Sequence, residues 1–173
     1  MTKNIKIRLY ISLFIIMFAI IFQAVLFPFN TIKAENAVIK LLDIYKISEY
    51  KINSNLTNKK VDFYLSINDE KDIQSIESDI REIADRYYRG FESEIIVLTH
   101  HSSFTTNKPE GTFFRFVSKY EIDSKLRMNN LENIKYYIFT SEIESQTKVT
   151  FSTSEEVPPS VLDEIYLILR NYE

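Results

Sequence analysis

A long apolar run near the N-terminus constrains this chain more than any other feature. Residues 9–27 contain only Ser12 and Gln23 as polar members, and no charged residue lies between Arg8 and Lys33. Because an α-helix rises about 1.5 Å per residue, this run extends about 29 Å, close to the thickness of a bilayer's hydrocarbon core. The run therefore predicts an N-terminal hydrophobic helix that spans a membrane.

The charges on either side of this run predict the orientation of the chain. Lys3, Lys6 and Arg8 precede it, whereas Lys33 is the one basic residue that follows it closely. Basic residues accumulate on the cytoplasmic side of a membrane helix. We therefore expect a single-pass protein of the cell membrane, with its N-terminus inside and residues 35–173 outside.

A cleaved signal peptide is the alternative interpretation of residues 1–34. They have a basic beginning, an apolar middle and a polar end that starts at Pro28, as a signal peptide does. Ile32 and Ala34 suit a signal peptidase, and cleavage after Ala34 would give a secreted protein. The apolar run is longer than the usual 7–15 residues of a signal peptide, which slightly favours a retained anchor. Both interpretations stay open at the level of sequence.

The composition of residues 35–173 predicts one extracytoplasmic domain and limits its chemistry. The chain has no cysteine, which excludes disulfides, thiol chemistry and cysteine-based metal sites. Four of the 21 Lys and Arg residues and none of the 24 Asp and Glu residues lie in residues 1–34, so the domain has a net charge of about −7. This acidic balance argues against nucleic acid as a partner.

The spacing of apolar residues predicts a series of helices and strands in this domain. Residues 61–67 alternate as a half-buried strand, and residues 73–87 form a helix with one apolar stripe that ends at Gly90. The sequence also predicts a short helix at 35–46, a weak strand at 48–54, strands at 95–98, 112–121, 134–141 and 147–153, and a final helix from Pro158. Residues 122–133 fit either a loop or an extension of the preceding strand.

The predicted fold class is α+β. After the N-terminal hydrophobic helix and the short helix, the elements follow the order β-α-ββββ-α. One mostly antiparallel sheet with the two long helices packed on one face would bury both apolar stripes. In element order alone the domain resembles the TATA-box-binding-protein-like folds, which implies a topology but no DNA binding. A ferredoxin-like plait with an added strand is the alternative.

The only histidines, His100 and His101, limit the possible catalytic and metal sites. Adjacent strand residues point to opposite faces, so the two histidines would not easily bind one ion. No third ligand residue stands at a metal-binding spacing from them, so we predict no metal and no cofactor. His101 with Ser102 or Ser103 as nucleophile would make a small envelope hydrolase, although no G-x-S-x-G motif is present. A polar strand end that enters a loop is the favoured interpretation of residues 99–103.

A basic and aromatic face is predicted on the side of the sheet opposite the helices. Because alternate residues of a strand share a face, this side would present Tyr64, Arg115, Lys119, Lys135, Tyr137 and Lys148. On an acidic domain, such a face suits an envelope protein or an anionic polymer.

The predicted function is therefore a membrane-anchored extracytoplasmic binding module without catalytic activity. The envelope hydrolase is the alternative. The expected partners are the membrane, through residues 9–27, and a ligand on the open sheet face, while the sequence indicates no oligomeric state.

Overall fold

The computed structural model describes residues 3–68, 73–107 and 116–171, and it describes side-chain environments for these residues outside 3–9, 22–28 and 116–118. Within these ranges the helices are α1 (Lys3–Tyr45), α2 (Ile73–Tyr87), α3 (Phe116–Met128) and α4 (Pro159–Asn171). The strands are β1 (Ile47–Asn55), β2 (Lys60–Ile67), β3 (Glu92–Leu98), β4 (His100–Thr106), β5 (Tyr136–Ile143) and β6 (Gln146–Thr153).

The strands form two three-stranded sheets, where the sequence predicted a single sheet. The first sheet has the order β1-β2-β3, and the second has the order β4-β6-β5. All pairs are antiparallel except β2 and β3, which are parallel and are joined by α2. The α+β class and the mostly antiparallel pairing are confirmed, but the predicted single sheet is wrong.

The first sheet has the alternation predicted for residues 61–67. Every second side chain of β2 is buried against α1 and α2: Val61, Phe63, Leu65 and Ile67. The apolar stripe of α2 meets them with Ile76, Ile80 and Ala84. Gly90 follows α2 with a φ of 84°, a left-handed conformation that glycine adopts without steric cost. The strand and the helix were therefore both predictable from local spacing.

The short helix predicted at residues 35–46 is the last part of the continuous helix α1. Ala34 and Val38 are fully buried in the core of the first sheet. Two hydrogen bonds join α1 to the α2 region: Tyr45 Oη donates to Asp79 Oδ2 at 2.6 Å, and Tyr88 Oη donates to Thr31 Oγ1 at 3.1 Å. The C-terminal part of α1 is thus built into the domain.

The N-terminal part of α1 exposes its apolar side chains. The ten large apolar residues among positions 10–21 are each between 53% and 71% exposed. In the described part of the chain, no helix is long and apolar enough to cross a membrane. Position 9 and positions 22–27 of the predicted span lie outside the residues whose side chains are described.

The strand predicted at residues 112–121 is wrong, because residues 116–128 form α3; residues 112–115 lie outside the described part of the chain. Ile122 and Leu126 of α3 are buried at i,i+4 spacing, against the second sheet and α4. The aromatic residues of this segment favour a strand locally. The contacts that Ile122 and Leu126 make with the second sheet and α4 outweigh this local preference.

The polar strand end predicted at residues 99–103 lies largely in β4 (residues 100–106) at the edge of the second sheet, so the strand continues into residues that were predicted as loop. This strand pairs with β6, with His101 opposite Ser152. All residues of β4 except Phe104 are polar, so the strand has little apolar signal. Its pairing partner, which lies about fifty residues away in the sequence, fixes it as a strand.

The two sheets pack face to face, and the helices cover their outer faces. The rings of Tyr64 and Tyr137 lie 4.5 Å apart between the sheets, and Ile96, Leu98 and Phe139 form a small apolar cluster there. Helices α1 and α2 pack on the first sheet, and α3 and α4 pack on the second. The order of layers is therefore helix, sheet, sheet, helix, and the predicted placement of both long helices on one face is wrong.

Candidate functional site

Four residues of the predicted basic and aromatic face meet between the two sheets. Tyr64 of β2 contacts Tyr137 of β5. Lys135 Nζ lies 3.2 Å from Glu94 Oε1 of β3, and Lys148 acts electrostatically on Glu49 of β1. Tyr64, Tyr137 and Lys148 lie on the predicted side of their strands, whereas Lys135 lies just before β5. That side faces the other sheet, so the two tyrosines are partly covered, whereas the Lys135 side chain stays 58% exposed.

The two remaining residues of the predicted face lie elsewhere. Lys119 is on α3, where its ammonium group pairs with Asp123 at 3.0 Å and lies 5.2 Å from the centre of the Tyr136 ring. This position is on the outer face of the second sheet. Arg115 lies outside the described residues.

His101 joins the two sheets through a polar network. His101 Nε2 lies 2.7 Å from the carbonyl oxygen of Ile67, and Nδ1 lies 3.2 Å from the hydroxyls of both Ser66 and Ser152. An imidazole with a proton on Nε2 satisfies this geometry, since Nε2–H donates to the carbonyl, and Nδ1 accepts from a hydroxyl or, when it is protonated, donates to one. Ser48 extends the network, because its hydroxyl lies 2.9 Å from that of Ser66.

In the described part of the chain His101 makes no hydrogen bond to the predicted nucleophiles, although His101 and Ser102 both line a recess of about 450 Å³ beside the start of α4. Ser102 points to the outer face of the second sheet, the side on which Phe104 packs against Tyr166 of α4. The serines that do contact His101, Ser66 and Ser152, are fully buried. A buried hydroxyl is not accessible to a substrate, so this network has the properties of a structural link between sheets. Ser103 has no hydrogen bond to His101 among the described residues.

Glu49 lies beside this network at the edge of the first sheet. Thr150 Oγ1 donates to Glu49 Oε1 at 3.3 Å, while the buried Oε2 has no hydrogen-bond partner in the described part of the chain. Burial raises the pKa of the Glu49 carboxyl, and Lys148, the Thr150 hydroxyl and His101 act in the opposite direction. Desolvation of the charged form is therefore the larger effect.

A groove of about 610 Å³ runs beside β3. Its floor comes from residues 94–97 of β3, and its two walls come from the start of α2 and from the second sheet with the segment that leads to α4. The wall residues with charge or hydrogen-bonding capacity are Glu77, Thr99, His100, Lys135, Ser154, Glu155 and Glu156. Acidic side chains predominate in this lining.

Glu94 stands at the centre of the charges in this groove. Its two oxygens contact different cations, with Lys60 Nζ 3.0 Å from Oε2 and Lys135 Nζ 3.2 Å from Oε1. Hydrogen bonds from Lys60 and Lys135 lower the pKa of Glu94. The groove is not evident from the sequence, because its walls come from segments far apart in the chain. The available signal was the apolar run Ile95-Ile96-Val97 beside Glu94.

In the described ranges, no cluster of three or more His, Asp or Glu side chains is placed to hold a metal ion. Comparison with protein-family models and with curated proteins finds nothing that matches this chain.

Proposed function

We propose that this protein is a membrane-tethered, extracytoplasmic interaction module whose domain is attached rigidly to its anchor. The observation that supports this most strongly is the continuity of α1. Positions 10–21 of this helix expose apolar side chains, whereas Ala34 and Val38 of the same helix are fully buried in the domain core.

The exposed part of α1 favours an apolar environment. A helix that is hydrophobic on all sides is stable where its surroundings are apolar, in a protein core or in a bilayer. Burial of one Leu, Ile, Phe or Met side chain contributes about 1.5–3 kcal/mol, and ten large apolar side chains are exposed here. The gain on entering a bilayer would be of the same order as the typical stability of a whole domain, about 5–15 kcal/mol.

The contacts around position 34 favour a retained anchor over a cleaved signal peptide. Cleavage after Ala34 would remove a fully buried side chain from the core. It would also remove Thr31, which accepts a hydrogen bond from Tyr88. A signal peptide leaves the mature domain after cleavage, so contacts of this kind are expected of a retained anchor rather than of a signal peptide.

A basic recess lies between α1 and α2, close to the end of the predicted span. It is lined by Asn30, Lys33, Lys40 and Arg86, among others, and its lining contains no carboxylate. Lys33 is six residues beyond the predicted span, about 9 Å along the helix, which is the level of the lipid headgroups. Cations at this level would contact lipid phosphates, although the domain as a whole is acidic.

Cysteine labelling tests the proposed tether, because the chain has no native cysteine. In intact bacterial cells that express the full chain, a membrane-impermeant maleimide should label the variant Glu142→Cys, whose position is exposed. The matched variant Thr2→Cys should be labelled only after lysis. The protein should stay with membranes in alkaline carbonate, with Met1 or Thr2 as its N-terminus. An N-terminus at Glu35, or recovery in the soluble fraction, would overturn the tether.

A further inference from the structure

β3 is an outer strand of the first sheet, and its far edge borders the groove. In the described part of the chain it pairs only with β2. Alternate residues of such a strand direct their N–H and C=O groups away from the sheet, where they can pair with another strand. Residues 94–97 line the groove, and four strand residues extend about 13 Å. The open edge therefore matches an extended segment of about four residues.

The sequence of β3 leaves this edge open to pairing. Proteins commonly block an edge strand with lysine, proline or a bulge. β3 contains no lysine and no proline, and its centre is Ile95-Ile96-Val97. Ile95 and Val97 are half-buried, while Ile96 is buried. An added strand would therefore gain main-chain hydrogen bonds beside an apolar floor.

The charges of the groove select the kind of segment that it would accept. The ion pairs among the described residues leave Glu77, Glu155 and Glu156 without a cation, whereas Lys135 is paired with Glu94. The groove is therefore acidic, and a basic segment complements it.

The same charges argue against a second copy of this chain as the occupant. A second β3 edge would bring Glu92 and Glu94, and no basic residue, into a groove that is already acidic. Like charges on neighbouring strands destabilise a pair. The edge is thus protected from self-pairing by repulsion, while it stays open to a cationic strand.

We propose that the groove binds an extended, lysine- or arginine-rich polypeptide segment, which adds to β3 as a fourth strand of the first sheet. This inference names the partner class for the proposed interaction module and rests on that function. Main-chain hydrogen bonds to β3 would supply affinity, and Glu77, Glu155 and Glu156 would select cationic side chains.

Fluorescence anisotropy with a defined peptide tests the charge selection. The full chain in detergent micelles should bind the labelled peptide Thr-Lys-Val-Lys-Val-Lys-Thr, and it should not bind the peptide with glutamate at the lysine positions. The triple variant Glu77→Gln, Glu155→Gln, Glu156→Gln should bind at least tenfold more weakly. The matched triple variant Glu82→Gln, Glu142→Gln, Glu144→Gln changes the net charge equally at exposed positions outside the groove and should bind as the parent does. Equal weakening in both variants would overturn the site.

Backbone methylation of the peptide tests the added strand. A strand at a sheet edge uses the N–H groups of every second residue. Of two peptides methylated on alternating sets of backbone nitrogens, one should therefore lose binding and the other should keep it. Equal binding of both would show attraction by charge alone and would overturn strand addition. Because these measurements use solubilised protein, they are independent of the labelling experiment, and failure of the tether and failure of the groove are distinguishable.

Discussion

At the scale of single residues, Glu49 is a partly buried carboxylate whose charged form lowers the stability of the folded protein. Burial raises its pKa in the folded protein despite the nearby Lys148 and the Thr150 hydroxyl. The folded state then binds a proton more tightly than the unfolded state, whose carboxyl titrates near pH 4.3. Stability should therefore fall as the pH rises from that value through the raised pKa of the folded state.

The variant Glu49→Gln should remove this dependence, because an amide keeps an oxygen to accept from Thr150 and has no charge to desolvate. We expect a higher thermal midpoint than that of the parent at pH 7 and an equal midpoint at pH 4, measured by circular dichroism. Glu142→Gln, at an exposed position, serves as the control and should change neither midpoint. A Glu49→Gln protein that is less stable at pH 7 would show that the attraction of Lys148 outweighs desolvation.

At the scale of elements, α3 is where local sequence preference and the structure disagree. In a strand, positions 120 and 122 share a face and would be buried or exposed together. In α3, Tyr120 is 71% exposed whereas Ile122 is fully buried. Ile122→Ala should therefore cost about 2–5 kcal/mol of unfolding free energy, and Tyr120→Ala should change it by less than about 0.5 kcal/mol. Urea denaturation measures both, and equal costs would favour the strand.

The same contrast shows which elements the sequence could predict. β2 and α2 were predictable because their apolar residues repeat at the periods of a strand and a helix, with Phe63 and Ile80 among the buried members. β4 and α3 have weak periodicity, and their form is fixed by partners far away in the sequence. His101 pairs with Ser152, and Leu126 packs against α4, so neither element could be assigned from its own residues.

At the scale of the whole molecule, alternation within a strand indicates which residues share a face but does not identify the layer that covers it. Tyr64, Tyr137 and Lys148 were assigned correctly to the side away from the helices. One open sheet and two facing sheets give the same alternation, because each strand has two faces in either case. The groove beside β3 depends on how the second sheet and α2 are placed, and strand periodicity contains no information about that placement.

The facing arrangement of the sheets predicts an energetic coupling between Tyr64 and Tyr137, whose rings lie 4.5 Å apart. Aromatic pairs in contact contribute about 0.5–1.5 kcal/mol beyond the area that they bury. A double-mutant cycle with the truncations Tyr64→Ala and Tyr137→Ala should therefore give a coupling free energy of that size in urea denaturation. The matched cycle uses Tyr64 and Tyr166, which packs with Phe104 on the outer face of the second sheet, and should be additive. If both cycles were additive, the two sheets would not share this interface, and the groove between them would lose one wall.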